Sequence, residues 1–319
     1  MHFLRRLLAD IGKDVRRQAS VVRVPEPAGR DREREAYLCA CAIVKDEGPY
    51  IGEWLALLAA IGVDHVLLYD NDSAAGEMVP VEPWVERGFV TVVPWPTFVG
   101  GGNPQYLAYA HAVQLMRGRC RWLAVLDVDE FLFSPGGGSV AEILRRYEDC
   151  AALAVYRRDF GTSGHREAPP GLVMENYTRR PPSPRRTRNK VKSIVDPEAV
   201  QRIGSAHRFG LRAGLVLRDE SRAVVRESKD ADGRREERCE ILRMNHYITK
   251  SREEHERKLE RGRMTRRDDW PEKAMKYLEK LDSSATVEDR EILAYLPRVR
   301  ALLTEVYGEA DAADAASRP

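Results

Sequence analysis

The sequence predicts an α/β protein built on a doubly wound, mainly parallel sheet. Two observations carry that prediction. Between residues 36 and 130, apolar runs of strand length alternate with stretches of helical spacing. Three of the strands also end in polar clusters, Lys45-Asp46-Glu47, Asp70-Asn71-Asp72-Ser73 and Asp127-Val128-Asp129-Glu130. In open parallel sheets ligands bind outside the carboxyl ends of the strands, so the three clusters are expected to converge on one edge.

Taken in order, residues 1–19 set Phe3, Leu4, Leu7, Leu8, Ile11 and Val15 at helical spacing with Arg5, Arg6, Lys13, Arg16 and Arg17 between them. This describes a basic amphipathic helix. It suits peripheral contact with an anionic membrane, and equally suits packing on its own domain or on a second copy. Residues up to 35, with Pro25, Pro27 and Gly29, read as a linker that completes an N-terminal arm.

Residues 36–250 form the expected sheet domain. The continuous apolar run at 37–44 is of strand length and ends in Lys45-Asp46-Glu47-Gly48. Pro49 then opens a helix through Trp54, Leu55, Leu57, Leu58 and Ile61, which Gly62 closes. Strands are expected at 64–69 and 89–93 with a short helix at 81–86 between them. A glycine-rich loop at 99–105 leads into a helix through Ala112 and Met116, and the next strand delivers Asp127 and Asp129.

Beyond it, 159–206 is loop-rich, with a small-residue turn at Phe160-Gly161-Thr162-Ser163-Gly164-His165 and an expected strand at 172–177. The segment 179–192 carries Arg179, Arg180, Arg185, Arg186, Arg188, Lys190 and Lys192 with no acid and three prolines, so it is not helical throughout. Its cations suit a phosphate clamp or a solvated loop. Strands are expected at 213–217 and 240–244, the latter closing in Asn245-His246-Tyr247. Charged helices fill 251–307, and the Ala/Asp-rich end, 308–319, reads as a disordered tail.

Composition excludes several classes. The 319 residues, 43% hydrophobic, are ample for a core, and 52 basic against 50 acidic residues leave a formal charge of +2, so nothing global points to nucleic acid. The five cysteines, at 39, 41, 120, 150 and 239, form no CxxC pair; Cys39 and Cys41 share a strand face, where packing is the favoured role. No run approaches the roughly 20 apolar residues of a membrane span, and there is no signal-peptide pattern. A cytoplasmic protein is expected, with peripheral contact at the inner face of the membrane if residues 1–19 bind lipid.

The chemistry centres on the acids. If the strand continues through them, Asp127 and Asp129 point to one side. Two carboxylates about 4 Å apart repel by roughly 4 kcal/mol at an effective dielectric near 20, a cost that Mg²⁺ or Mn²⁺ would reverse. The alternative is a strand cap.

Together these motifs resemble those of the family-two-like GT-A glycosyltransferases related to the galactan galactosyltransferase group. The resemblance covers residues 38–260 and rests on the order of Ile43-Val44-Lys45-Asp46-Glu47, Glu53-Trp54-Leu55, Gly62-Val63-Asp64-His65, Tyr69 to Ser73 and Trp122 with Asp127 to Leu132. Later matches are Gln105, Phe160 to His165, Lys190 to Val195, His207 with Phe209, and Asn245 to Ser251. It implies a metal-dependent enzyme of GT-A fold that moves a sugar from a nucleotide-sugar, expected to be a UDP-sugar, to a glycan, polysaccharide or lipid-linked acceptor. Asp127 and Asp129 become the Asp-x-Asp motif, with Asp129 the more direct metal ligand, Asp127 nearer the ribose or sugar, and His246 completing the metal shell. Lys45, Asp46, Glu47, Asp70, Asn71, Ser73, Gln105, Lys192 and Lys250 would border the donor. Relatives carry Asn where this chain has Asp46. Candidates for an acceptor base are Asp159, Glu130 and Glu175, with Asp159 ahead because it adjoins the small-residue turn. Two other classes compete: a sugar nucleotidyltransferase, which needs a glycine- and arginine-rich loop after the first strand, and a non-catalytic glycan-binding module.

Overall fold

The computed structural model describes residues 21–24, 34–96, 103–182, 191–207, 209–225, 238–260 and 270–309. The amphipathic arm at 1–19, most of the glycine-rich loop, the cations at 183–190 and most of the tail lie outside the described residues.

The main strands are β1 (Ala36–Val44), β2 (His65–Asp70), β3 (Val90–Pro94), β4 (Cys120–Val125), β5 (Glu130–Phe133), β6 (Ala152–Asp159), β7 (Val191–Val195), β8 (Leu217–Arg218) and β9 (Arg243–His246). Among the described residues they form one sheet in the order β3-β2-β1-β4-β7-β6-β9-β5, with β8 beside β6. The run β3-β2-β1-β4 is parallel, as the β-α-β order predicts. β7 and β5 run against their neighbours, which makes the sheet mixed.

The helices are α1 (Gly48–Ala60), α2 (Pro104–Met116), α3 (Arg252–Glu260), α4 (Trp270–Ser284) and α5 (Leu296–Tyr307), with short helices between them. β1 is apolar throughout because each of its faces is covered. Leu38, Ala40, Ala42 and Val44 pack with Trp54, Leu55, Leu57 and Leu58 of α1, while Cys39, Cys41 and Ile43 pack with Ala108, Tyr109, Ala112 and Val113 of α2. The two thiols are therefore packing groups, free and buried. Gly62, at φ +89°, closes α1 in a conformation that side chains resist. At the other end of the chain, α5 lies on α1 so closely that a Cβ at Gly52 would sit 2.8 Å from the Tyr307 hydroxyl.

Much of the recurring motif pattern is scaffold. The Asp64 carboxylate accepts the Tyr37 and Leu38 N–H groups at 2.7 and 3.0 Å, and Trp54 Nε1 donates to the Glu130 carbonyl at 3.0 Å. The Glu53 carboxylate accepts the Val173 and Met174 N–H groups at 2.6 and 2.9 Å. That last contact overturns the strand expected at 172–177: two N–H groups held at one carboxylate start a short helix, Val173–Asn176.

Two other strands are shorter than expected. Of 213–217 only Leu217 pairs, in the two-residue strand Leu217–Arg218, since Gly214 turns the chain at φ +82°. β9 begins at Arg243 because the Glu220 carboxylate takes the N–H groups of Glu240, Ile241 and Leu242. In the expected linker, Val22–Arg23 pairs with Val200–Ile203 in a small separate sheet. No described helix is long and apolar enough to cross a membrane.

Candidate functional site

The extended run does not continue through the acids. β4 stops at Val125, and a turn closed by Glu130 N–H to the Asp127 carbonyl at 2.9 Å carries residues 127–129. The Asp127 N–H returns to Glu130 Oε2 at 3.1 Å. A turn, unlike a strand, gives the two aspartates different surroundings.

Asp127 Oδ2 receives Lys192 Nζ at 2.8 Å, and its Oδ1 receives Gln105 Nε2 and the Tyr109 hydroxyl, both at 3.2 Å. Gln105 is placed by Asn103, whose side chain caps α2 by accepting the Gln105 N–H. Lys192 also lies 3.1 Å from Glu130 Oε2, while Arg157 reaches Glu130 Oε1 at 3.2 Å. Burial works against the Lys192 charge, but Asp127 and Glu130 outweigh it and lift the ammonium to about 12. Burial likewise opposes ionisation of Asp127, yet Lys192 holds its carboxyl below the usual range. For Glu130 burial prevails over Lys192, and the carboxyl is raised.

Asp129 has a second lysine. Its Oδ2 receives Lys258 Nζ at 2.6 Å, and its Oδ1 lies 3.6 Å from His246 Nε2. Despite burial, Lys258, His246 and Lys250 pull its carboxyl well below the usual range. His246 ends β9, where the register sets it between Asp159 of β6 and Glu130 of β5. Its Nδ1 is 2.9 Å from Asp159 Oδ1, so the neighbouring carboxylate orients the ring and turns Nε2 toward Asp129. Asp159 also takes Arg157 Nε at 3.2 Å and the Tyr277 hydroxyl.

α3 brings Lys258 here. Ser251 and Glu254 form a capping box, with the Glu254 N–H on Ser251 Oγ at 3.1 Å and the Ser251 N–H on Glu254 Oε2 at 2.8 Å. The same carboxylate accepts the Tyr50 and Tyr177 hydroxyls. Against burial, the Ser251 and tyrosine hydrogen bonds bring it to about 2. Lys258 stands four residues on, along the same helix face.

The first two clusters join this centre through loop contacts. Asp46 adopts φ +52°, a left-handed conformation that Asn and Asp tolerate best, which accounts for either residue at this position. Its N–H donates to Ser73 Oγ at 3.2 Å and its Oδ1 accepts the Ala74 N–H at 2.8 Å, so Asp46 staples the two loops. Asp70 Oδ1 accepts the Ser73 N–H at 3.0 Å, and Asn71 Nδ2 donates to the Trp95 carbonyl at 2.7 Å. Glu47 lies 3.9 Å from the buried Lys250 ammonium, which stands 3.7 Å from the centroid of the Tyr50 ring. Burial lowers the pKa of Lys250. Lys45 is exposed.

The candidates for an acceptor base differ in their partners. Glu175 accepts the Leu172 N–H and pairs with Arg300 of α5 at 2.6 Å, a contact that holds helices together rather than serving the acids. Glu130 is fully buried between Lys192 and Arg157, and Asp159 is engaged by His246, Arg157 and Tyr277.

Sequence reasoning missed Tyr109, Arg157, Lys258 and Tyr277. Spacing offered a signal for two of them: Tyr109 is one helical turn from Gln105, and Arg157 is two residues from Asp159 on one strand face. His207 was noted as a match without a role. Its Nδ1 is buried without a hydrogen-bond partner, and burial, then Lys192 and Arg157, push the imidazole down to about 4.

Among the described residues no three His, Cys, Asp or Glu side chains come together as a metal-binding group. The expected trio of Asp127, Asp129 and His246 is therefore not assembled, because Asp127 faces Lys192. The reduced pair, Asp129 with a correctly turned His246, does fit a hard divalent ion of the kind held by one or two protein ligands together with substrate phosphates.

The model of glycosyltransferase family 92 matches residues 34–275. A glycosyltransferase family 92 protein of Ricinus communis is 31% identical over 198 residues, covering 60% of this chain and 34% of the relative. A galactan beta-1,4-galactosyltransferase of Arabidopsis thaliana is 27% identical over 134 residues, 40% of this chain and 26% of the relative. The chain thus spans about a third of the length of the relatives it matches. Among solved structures, a mannosyltransferase from Pyrobaculum calidifontis in complex with GDP-Man and Mn²⁺ aligns with a TM-score of 0.30 and 21% identity, over 42% of this chain and 38% of that one.

Proposed function

The chain belongs to glycosyltransferase family 92, and on that premise we propose that it is a GT-A-type hexosyltransferase. It moves a sugar from a nucleotide-sugar donor, of the UDP-sugar class, to a glycan, polysaccharide or lipid-linked acceptor, with Mn²⁺ or Mg²⁺ as cofactor. The observation that carries this reading is the Asp129–His246 pair, 3.6 Å apart, with the imidazole fixed by Asp159 at the carboxyl ends of the strands.

Asp129 and His246 would hold the ion, which supplies positive charge to offset what gathers on the departing diphosphate. The chain's own part is to place charge and exclude motion. Asp159 holds the His246 ring, Lys192 and Arg157 hold the acids, and the half-exposed Lys258 stands within reach of an anion beside Asp129. Asp127, whose side chain is a third exposed, is the carboxylate open to the ribose or sugar. Asp46 and Ser73 fix the loops that would border the nucleotide.

The test is a screen of nucleoside diphosphates by thermal shift and calorimetry with and without Mn²⁺, followed by donor turnover. The expected result is Mn²⁺-dependent binding of one nucleoside diphosphate, release of that nucleotide on turnover, and loss of both in Asp129→Ala. No binding across the whole panel would sink the proposal, and pyrophosphate release would favour a nucleotidyltransferase.

A further inference from the structure

The acid centre carries two lysines on two aspartates, and only one of them is built to stay. Lys192 is 1% exposed, shares its ammonium between two carboxylates and comes from a central strand. Lys258 has a side chain 35% exposed, sits at the surface end of the pair and reaches Asp129 along a flexible stem from α3. The Glu254 clamp fixes the helix, so a change of partner at Lys258 needs only side-chain rotation.

The charges argue that such a change occurs. Asp127, Asp129, Glu130 and Asp159 face Lys192, Arg157 and Lys258, and His246 and the Lys250 ammonium also act on Asp129. A divalent ion taking Asp129 alone would meet the Lys258 ammonium on the same carboxylate, and two cations that close repel. A diphosphate arriving with the ion removes the conflict, because it offers the ammonium another anion at the same place.

From this we infer that Lys258 is a tethered counter-ion that keeps divalent metal off Asp129 in the donor-free protein and transfers to the diphosphate when ion and nucleotide bind together. The inference rests on the donor-site reading above and adds to it an order: metal enters with the nucleotide, so each raises the affinity of the other.

Mn²⁺ titrations of the wild-type chain, Lys258→Met and Lys258→Arg, alone and with a saturating nucleoside diphosphate from the screen, test it. The nucleotide itself is also titrated at fixed Mn²⁺, and thermal unfolding confirms that each variant is folded. Relative to wild type, Lys258→Met is expected to bind Mn²⁺ alone roughly tenfold more tightly and the nucleotide with Mn²⁺ roughly tenfold more weakly, within the usual range of coupling. Lys258→Arg, which keeps the charge, stays near wild type when Mn²⁺ is added alone. If Lys258→Met leaves Mn²⁺ affinity unchanged or weakened without nucleotide, the role of Lys258 is overturned while the donor site stands. A wild-type chain that takes up no nucleoside diphosphate with Mn²⁺ removes the donor site and this inference together.

Discussion

Two sides of the acid centre use the same charges to different ends. On the inner side the more exposed carboxylate, Asp127, is held by a buried lysine; on the outer side the more covered carboxylate, Asp129, is covered by a partly exposed one. A buried ammonium shared by two acids is part of the fold, because removing it strands negative charge away from water. A partly exposed ammonium keeps water on one side, so removing it from a covered acid costs less than removing a buried one. The difference teaches that Lys192 and Lys258, equal in chemistry, divide structure from exchange.

The comparison breaks most visibly at Lys192. Lys192→Met should lower stability by about 3–5 kcal/mol in chemical denaturation, since Asp127 and Glu130 lose their shared cation. A loss under 1 kcal/mol would erase the distinction between the two sides. Acid should separate them next. Glu254 is brought from 4.5 to about 2, so its contribution, of order 3 kcal/mol, is complete above pH 4.5 and withdrawn as the pH falls toward 2. Hydrogen exchange over that interval should show α3 opening before β1 and β4. Asp159→Asn keeps the shape but weakens the hold on His246, and nucleotide-dependent Mn²⁺ uptake should fall about 10–100-fold, with a lowered thermal midpoint because the buried Arg157 loses one of its two carboxylates. Lys258→Met also takes a cation from the covered Asp129, and its loss of unfolding free energy should be smaller than that of Lys192→Met because the Lys258 side chain is 35% exposed.

How far the sequence spoke depends on the range of the interactions involved. The parallel half was legible because strands covered on both faces leave unbroken apolar runs, and because acids at strand ends stand out against them. Asp127 and Asp129 stand out for that reason, and His246 because it too follows a strand. What escaped depends on partners distant in the chain. Glu53 turns 173–176 into a helix from 120 residues away, and Glu220 trims β9 by taking three N–H groups. Lys258 lies among charged neighbours on α3, and nothing local distinguishes it from Arg257. Its place follows only from the reach of Glu254 to Tyr50 and Tyr177. The turn at 127–129 shows the same limit: the residues named the acids, and a backbone bond set them apart.

The lysines that neutralise the acids also bear on how the chain is made. A zinc finger cannot fold before its ion arrives, because its ligands repel or stay solvated until then. Here Lys192 and Lys258 already stand where unpaired carboxylates would oppose folding, so the fold needs no added cation to neutralise them. The acid centre can therefore take its folded shape before any ligand is present.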